Sequence, residues 1–308
     1  MSNQADVRPL TPAPPPAAVS TVEREPVLLD RRSRAQTRVR WELLRNLIRK
    51  DLKVKYKGST LGFAWSLANP LLLMAVYYVV FQIILPGRIP SFAIYLMAGL
   101  LIWNAFSGSV SGACGSVVYN ANLVKKVRFP LPVLPLSAVG FALVHFVLQL
   151  GVLFVVIAAL QYNFLGLQLL LVIPAFVVAL VFTTALAMLV SALNVRYRDT
   201  QHLLDVALLA WFWLNPIVYD VDLIRQHLHG YTWIYFLNPM ATVAATFQRA
   251  IYKQPYAIVD KKRTLILADP GYTWYLEHLA IVGAASLVLL WFGYRVFTRL
   301  QADFAEDL

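Results

Sequence analysis

The sequence predicts an all-α polytopic membrane protein: six transmembrane helices, an N-terminal amphipathic interfacial helix, and short re-entrant helices between spans five and six. Three observations carry this prediction. Of 308 residues, 59% are apolar and only 14% charged, against about 45–50% and about 25% in soluble domains. The apolar residues fall into six runs, roughly 62–85, 91–117, 133–160, 169–193, 203–219 and 275–297. A helix of about 17–25 residues crosses a hydrocarbon layer of about 30 Å, so each run is long enough, the fifth barely. The net charge of +11 is also unevenly placed, with 12 of the 27 Lys and Arg between Arg24 and Lys57, ahead of the first run. Together these exclude a secreted protein, a disordered one and a soluble nucleic-acid binder. Cys114 is the only cysteine, which excludes a disulfide framework and a Cys-based zinc site.

In chain order, residues 1–34 read as a disordered tail, with Pro9, Pro12, Pro14, Pro15, Pro16 and Pro26 among small residues that cannot bury a core. No apolar run lies in the first 30 residues, so the tail is not read as a signal peptide. Residues 35–58 read as an interfacial helix. Trp41, Leu44, Ile48 and Leu52 follow helical spacing, and Arg38, Arg45, Arg49, Lys53 and Lys57 occupy the other faces. The membrane domain spans 59–300 and residues 301–308 form a short cytoplasmic tail.

Short-loop charges set the orientation. Lys125, Lys126 and Arg128 follow the second run, Arg196 and Arg198 follow the fourth, and Arg295 and Arg299 end the sixth. The first connection holds only Arg88 and the third, 161–168, holds no Lys or Arg. Both termini are therefore expected in the cytoplasm. The 220–274 connection breaks the pattern with six basic residues: Arg225, Arg249, Lys253, Lys261, Lys262 and Arg263. Within it, 231–252 is half apolar yet carries Asn238, Pro239, Thr242, Thr246, Gln248 and Arg249. Such a stretch is too polar to face lipid, so 220–270 is expected to form short helices dipping back into the outer leaflet.

The chemistry missing from the chain matters as much. There is no phosphate-binding loop, no H-E-x-x-H and no Gly-x-Ser-x-Gly. No metal site is expected. His227 and His229 sit two apart, a spacing that does not converge on one ion. Intramembrane ionisable groups, the usual mark of ion coupling, are nearly absent. His145 with Gln149 is read as an interhelical hydrogen-bonding pair, and Asp205 as a partner for a basic neighbour. If this chain moves something uphill, another chain supplies the energy.

Four stretches bear a resemblance. They are Leu47-Ile-Arg-Lys-Asp-Leu-Lys-Val-Lys-Tyr-Lys-Gly-Ser-Thr-Leu-Gly-Phe-Ala-Trp65 with Asn69-Pro70-Leu71 and the 76–81 run; Asn122-Leu-Val-Lys-Lys-Val-Arg-Phe-Pro130; Arg196-Tyr-Arg-Asp199 followed by Asn215-Pro216-Ile217-Val218-Tyr219; and Leu237-Asn238-Pro239-Met240 with Arg249. Over about 36–300 the chain resembles the permease subunit of ABC type-2 exporters, in the branch that exports lipid-linked polysaccharides and teichoic acids. It departs slightly: Lys50 separates Arg49 from Asp51, and Asn215 stands where Ser is frequent.

The resemblance implies a homodimer of a non-enzymatic permease in the bacterial cytoplasmic membrane. Two copies of a separate ATPase would serve it, binding the ATP and Mg that this chain does not. The implied cargo is an undecaprenyl-linked glycan: O-antigen, capsule-like glycan, galactan or teichoic acid. The coupling segment, 120–130, would dock on the ATPase through Asn122, Leu123, Lys125, Lys126, Arg128 and Phe129, together with Arg49 and Asp51. The same basic segment, closed by Pro130, also works as a plain topology signal. Tyr77, Tyr78 and Phe81 on the first span and Trp211, Trp213 and Tyr219 on the fifth would line a channel, or else belong to ordinary interfacial belts. Lys53, Lys55 and Lys57 would meet a pyrophosphate headgroup or simply anionic lipid, and Asn238, Pro239 and Arg249 would belong to an exit gate. The small-residue face of Gly108, Gly112 and Gly115 is expected to pack closely on another helix. Two rival functions are a type-2 exporter of drugs or small lipids and a membrane polyprenyl glycosyltransferase. The latter needs acidic pairs, for which only Asp199 and Asp205 stand near the cytoplasmic surface.

Overall fold

The computed structural model describes residues 26–59, 62, 64–84, 89–126, 129–259 and 262–308. Most of the proline-rich tail, Arg128 and Lys261 fall outside the described residues. The chain divides into an N-terminal unit ending at Val39 and a second unit, Arg40–Leu308. Helix α1, Pro26–Tyr56, contributes to both.

Four helices are long and apolar enough to cross a membrane: α3 (Phe92–Tyr119), α5 (Val133–Ala159), α6 (Val172–Arg196, preceded by a 3-10 turn from Leu167) and α11 (Thr273–Leu300). They match the second, third, fourth and sixth apolar runs to within a few residues. The first and fifth runs differ. α2 covers Ala64–Tyr78, has Pro70 inside it, and passes into a π-helical turn, Val79–Ile84. Proline removes one helical hydrogen bond and crowds the preceding turn, and π turns mark local irregularity in a helix. α7, Thr200–Trp213, is only 14 residues, because the chain turns at Leu214 and runs into the Asn215-Pro216 bend. A short α4 (Ala121–Lys126) joins α3 to α5.

α3 is the central helix. Its apolar window is 83% buried, against 22–33% for the other three, and α2, α5, α6, α7 and the later α10 all pack on it. The outer helices leave Val155, Ile173, Val288 and Trp291 exposed, as expected of faces that meet lipid rather than water. α6 and α11 approach closely at Gly293, where a Cβ would stand 2.7 Å from the Ala185 carbonyl oxygen.

Between α7 and α11 the chain forms α8 (Val221–Leu228), a 3-10 turn at His229–Tyr231, α9 (Thr232–Tyr235), α10 (Pro239–Ile251) and an antiparallel hairpin. The hairpin pairs β1, Tyr256–Val259, with β2, Lys262–Leu265, in the register Tyr256↔Leu265. It is an addition to the all-helical expectation. α10 is enclosed on every side, with each residue from Met240 to Ile251 buried. The chain closes with α12, Phe304–Asp307, which packs on α4 and α6.

Candidate functional site

Two regions gather the chemistry, one at each end of the bundle. At the first, Leu47 of α1 is buried with Val117, Val133, Leu134, Met188, Phe297 and Phe304. Phe304 meets Phe297 edge to face at 5.4 Å, so the C-terminal residues close this cluster. α1 turns Leu43, Leu44 and Ile48 toward the bundle as well, and Gly140 of α5 leaves the room that Ile48 fills. Trp41, which shares the same spacing, is 66% exposed instead.

α4 is anchored by Val124, and Phe129 beyond it packs on the same cluster. Asn122, Leu123, Lys125 and Lys126 are left exposed. Asn120, just before α4, donates to the Ser116 carbonyl (2.8 Å) and accepts from Lys50 Nζ (3.2 Å). Lys50 also pairs with Asp51 at 3.3 Å, a surface contact of small energetic weight. Lys50, which interrupts the Arg-Asp pair of the family pattern, thus ties α1 to the α3–α4 junction. Arg49 is exposed beside it. The cations of α1 and α4 and the side chain of Leu123 thereby share one end of the bundle.

Further along α1, Tyr56 Oη donates to His145 Nε2 (2.8 Å), and Lys55 Nζ donates to the same nitrogen (3.1 Å). His145 Nδ1 in turn donates to the Phe141 carbonyl at 3.0 Å, which fixes the tautomer. The interhelical role expected of His145 is therefore filled by α1, without Gln149. Partial burial of its ammonium lowers the Lys55 pKa from the ordinary lysine value. Lys53 and Lys57 are exposed.

At the opposite end the two Asn-Pro turns meet. Asn238 caps α10 by accepting from Met240 N (3.1 Å), with Pro239 in the first helical turn. This is the arrangement that orphan N–H groups and a fixed φ favour. Asn238 also accepts from Trp211 Nε1 (3.0 Å) and donates to Asn215 Oδ1 (3.1 Å). Gln248 Nε2 donates to the Pro216 carbonyl (2.7 Å), and Tyr95 Oη of α3 donates to the Pro216 and Tyr219 carbonyls. Gly99 makes room for this: a Cβ there would lie 3.1 Å from Gln248 Nε2.

The basic residues of this connection, the least explained in the sequence, prove mostly structural. Arg249, buried, donates to the Lys253 (3.1 Å) and Pro270 (2.8 Å) carbonyls and lies over the Tyr272 ring. Arg225 donates to the carbonyls of Leu265, Leu267 and Ala268, pinning the hairpin to α8. Lys253 reaches Asn163 and Leu165 of the α5–α6 connection, and Arg263 stacks over Tyr256.

The six aromatics divide. Trp211 sits among Trp103, Phe106 and Phe182, and Phe81 lies 4.5 Å from Phe92, so both are half-buried and packed against the core. Tyr219 donates to the Trp213 carbonyl (2.7 Å) and shares a hydrogen bond with Tyr235. Tyr77 is half-buried against Phe81. Tyr78 and Trp213 are exposed. The small-residue face of α3 divides: a Cβ on Gly112 would stand 3.6 Å from Ala138 of α5, the close helix packing expected, whereas a Cβ on Gly108 would meet nothing within 4 Å among the described residues. Gly115 is instead filled by Tyr119 of its own helix.

Fold and site together define a multi-pass membrane protein with a basic edge at one end and a cross-linked polar plug at the other. The model of the ABC-2 type transporter family matches residues 42–252, and the chain belongs to that family. It is 33% identical over 267 residues to the O-antigen export system permease protein RfbA of Myxococcus xanthus, covering 86% of this chain and 95% of that protein. A counterpart of the same name from Klebsiella pneumoniae is 30% identical over 270 residues, covering 87% and 95%. The chain is thus a non-catalytic membrane permease related to O-antigen export permeases, and such permeases work with a separate nucleotide-binding ATPase subunit.

Proposed function

We propose that this permease exports a lipid-linked polysaccharide, such as an O-antigen, capsule-like glycan, galactan or teichoic acid, across the bacterial cytoplasmic membrane. It acts as a homodimer served by two copies of the ATPase, which bind ATP and Mg. The chain crosses six times with both termini in the cytoplasm, α2 with its π turn and α7 with the Asn215-Pro216 bend serving as the first and fifth crossings. The observation that carries this reading is similarity along 95% of the length of proteins named as O-antigen export permeases.

The geometry supports a division of labour. Asn122, Leu123, Lys125, Lys126 and Phe129 with Arg49 and Asp51 form the edge that receives the ATPase stroke, and Arg128, which lies outside the described residues, is assigned to the same role from its place in the sequence. The Lys50–Asn120 bond carries that movement between α1 and α4. Tyr78 and Trp213 are exposed and offer flat apolar rings with a polar edge on which sugars slide. Tyr77, Phe81, Trp211 and Tyr219 back them. Lys53, Lys55 and Lys57 attract the pyrophosphate of the lipid anchor. The plug built on Asn238, Pro239 and Arg249 gates the exit.

Purification tests the reading. A permease recovered with an ATPase whose hydrolysis rises when lipid-linked glycan is added supports it. Glycosyl transfer from nucleotide sugars by the isolated chain would replace it with a polyprenyl glycosyltransferase.

A further inference from the structure

The polar side chains along α3 and α7 take no part in the machinery described so far, and they stand where hydrocarbon tolerates them least. α3 is the most enclosed of the long helices, yet Asn104, Gly108 and Gly112 are exposed, and Ser107 and Ser111 are half-buried. Their three- and four-residue spacing puts them on one side of the helix. α7 adds Gln201 and Asp205. Ser111 Oγ donates to Asp205 Oδ1 (3.4 Å), and Gln201 Nε2 donates to Ser111 Oγ (3.3 Å). The Asp205 carboxylate is exposed, and among the described residues no cation pairs with it.

Counted back from Tyr119, the end of α3, Ser111 lies about 12 Å and Asn104 about 22 Å along the helix. In the orientation proposed above, Ser111 lies in the cytoplasmic half of the membrane and Asn104 near its midplane. Beyond Asn104 the α3–α7 contact becomes aromatic, with Trp103 meeting Trp211 at 6.5 Å and Phe212 at 5.9 Å. Lipid cannot satisfy an exposed carboxylate and amide at this depth. A second copy closed tightly over the face would bury an unpaired charge. Water satisfies both.

We propose that this face lines the export path from its cytoplasmic side to the midplane, and that Asn104, Ser107, Ser111 and Asp205 exchange hydrogen bonds with the hydroxyls of a passing glycan, with Gln201 holding Ser111 in place. The inference rests on the glycan-export reading and adds where the sugar runs before it reaches the exposed aromatics. Amides and hydroxyls both donate and accept, and the carboxylate accepts, so any rotation of a sugar finds partners. Gly108, where a Cβ would meet nothing within 4 Å, leaves width for its rings.

The test uses the permease–ATPase complex in inside-out vesicles, in a Cys114→Ala background. Asn104→Cys, Gly108→Cys and Ser111→Cys are exposed to a membrane-impermeant methanethiosulfonate, with Val155→Cys and Val288→Cys as outward-facing controls. The three are expected to react on the order of tenfold faster than the controls, since only a hydrated thiolate attacks the reagent. Reaction no faster than the controls, or a spontaneous Asn104→Cys disulfide between copies, would overturn the proposal. Gly108→Trp is expected to stop glycan export while the complex still assembles, and export at the wild-type rate would also overturn it. Fast labelling combined with surface polymer that persists after permease depletion supports the hydrated face and overturns glycan as its cargo.

Discussion

Asn238 joins three elements through one side chain: it caps α10, accepts from Trp211 of α7 and donates to Asn215 in the following bend. Truncation to alanine removes the cap and leaves a part-buried indole N–H without its acceptor. Each loss of this kind is worth about 1–2 kcal/mol, so Asn238→Ala is expected to lower the Tm of the detergent-purified permease by several degrees. Asn238→Asp keeps the acceptor for Met240 N and Trp211 and should cost less. Arg249→Met leaves the Lys253 and Pro270 carbonyls without their donor. Hydrogen exchange across 253–272 is expected to quicken while the long helices stay protected. The Asn-Pro pairs and Arg249 were legible as a pattern in the sequence. Their partners were not, because the contacts join residues that lie 23 and 21 positions apart and depend on how α7, α10 and the hairpin fold together. Gly108 was legible only as a small residue; that it faces open space depends on which helices surround α3.

At the scale of elements, apolar run length located α3, α5, α6 and α11 well, since hydrocarbon thickness fixes how much helix must be apolar. The same rule overstated α2 and α7 as regular helices, because Pro70 and the Asn215-Pro216 bend spend apolar residues on irregular backbone. The β1–β2 hairpin was not legible at all. Its eight residues carry no clear alternation, and it is held from outside, by Arg225 on the carbonyls of the chain leaving β2. α1 was legible as amphipathic, but not its contact with His145 of α5. The coupling edge yields the sharpest prediction here. Reversing Lys125, Lys126 and Arg128 to Glu should leave folding intact, because Lys125 and Lys126 are exposed and the anchor is Val124 and Phe129. Stimulation of the partner's ATPase by the permease should be lost, and unchanged coupling would reduce these cations to a topology signal. Alanine at Tyr77, Tyr78 and Trp213 together is expected to slow export and alter the exported chain length. A wild-type rate and length distribution would remove the sliding surface.

The whole molecule is a conduit without an engine. Its apolar majority builds four helices long and apolar enough to cross a membrane and two shorter, interrupted ones, with few ionisable groups along them that could couple ions to transport. Its positive charge, which composition presents as a bulk property, separates into distinct structural uses. Cations of α1 and α4 face the end where a motor would act, while Arg225 and Arg249 lock the plug at the other. Permeases of this family work with an ATPase partner that supplies the energy, and in the reading proposed above the chain carries a cargo outward. The central claim is that this cargo is a lipid-linked glycan carried outward. It is tested by depleting the permease in living cells and following the lipid-linked polymer on each side of the membrane. Accumulation on the cytoplasmic side together with loss of the polymer from the cell surface is expected. Continued appearance of the polymer at the surface at the undepleted rate would contradict it.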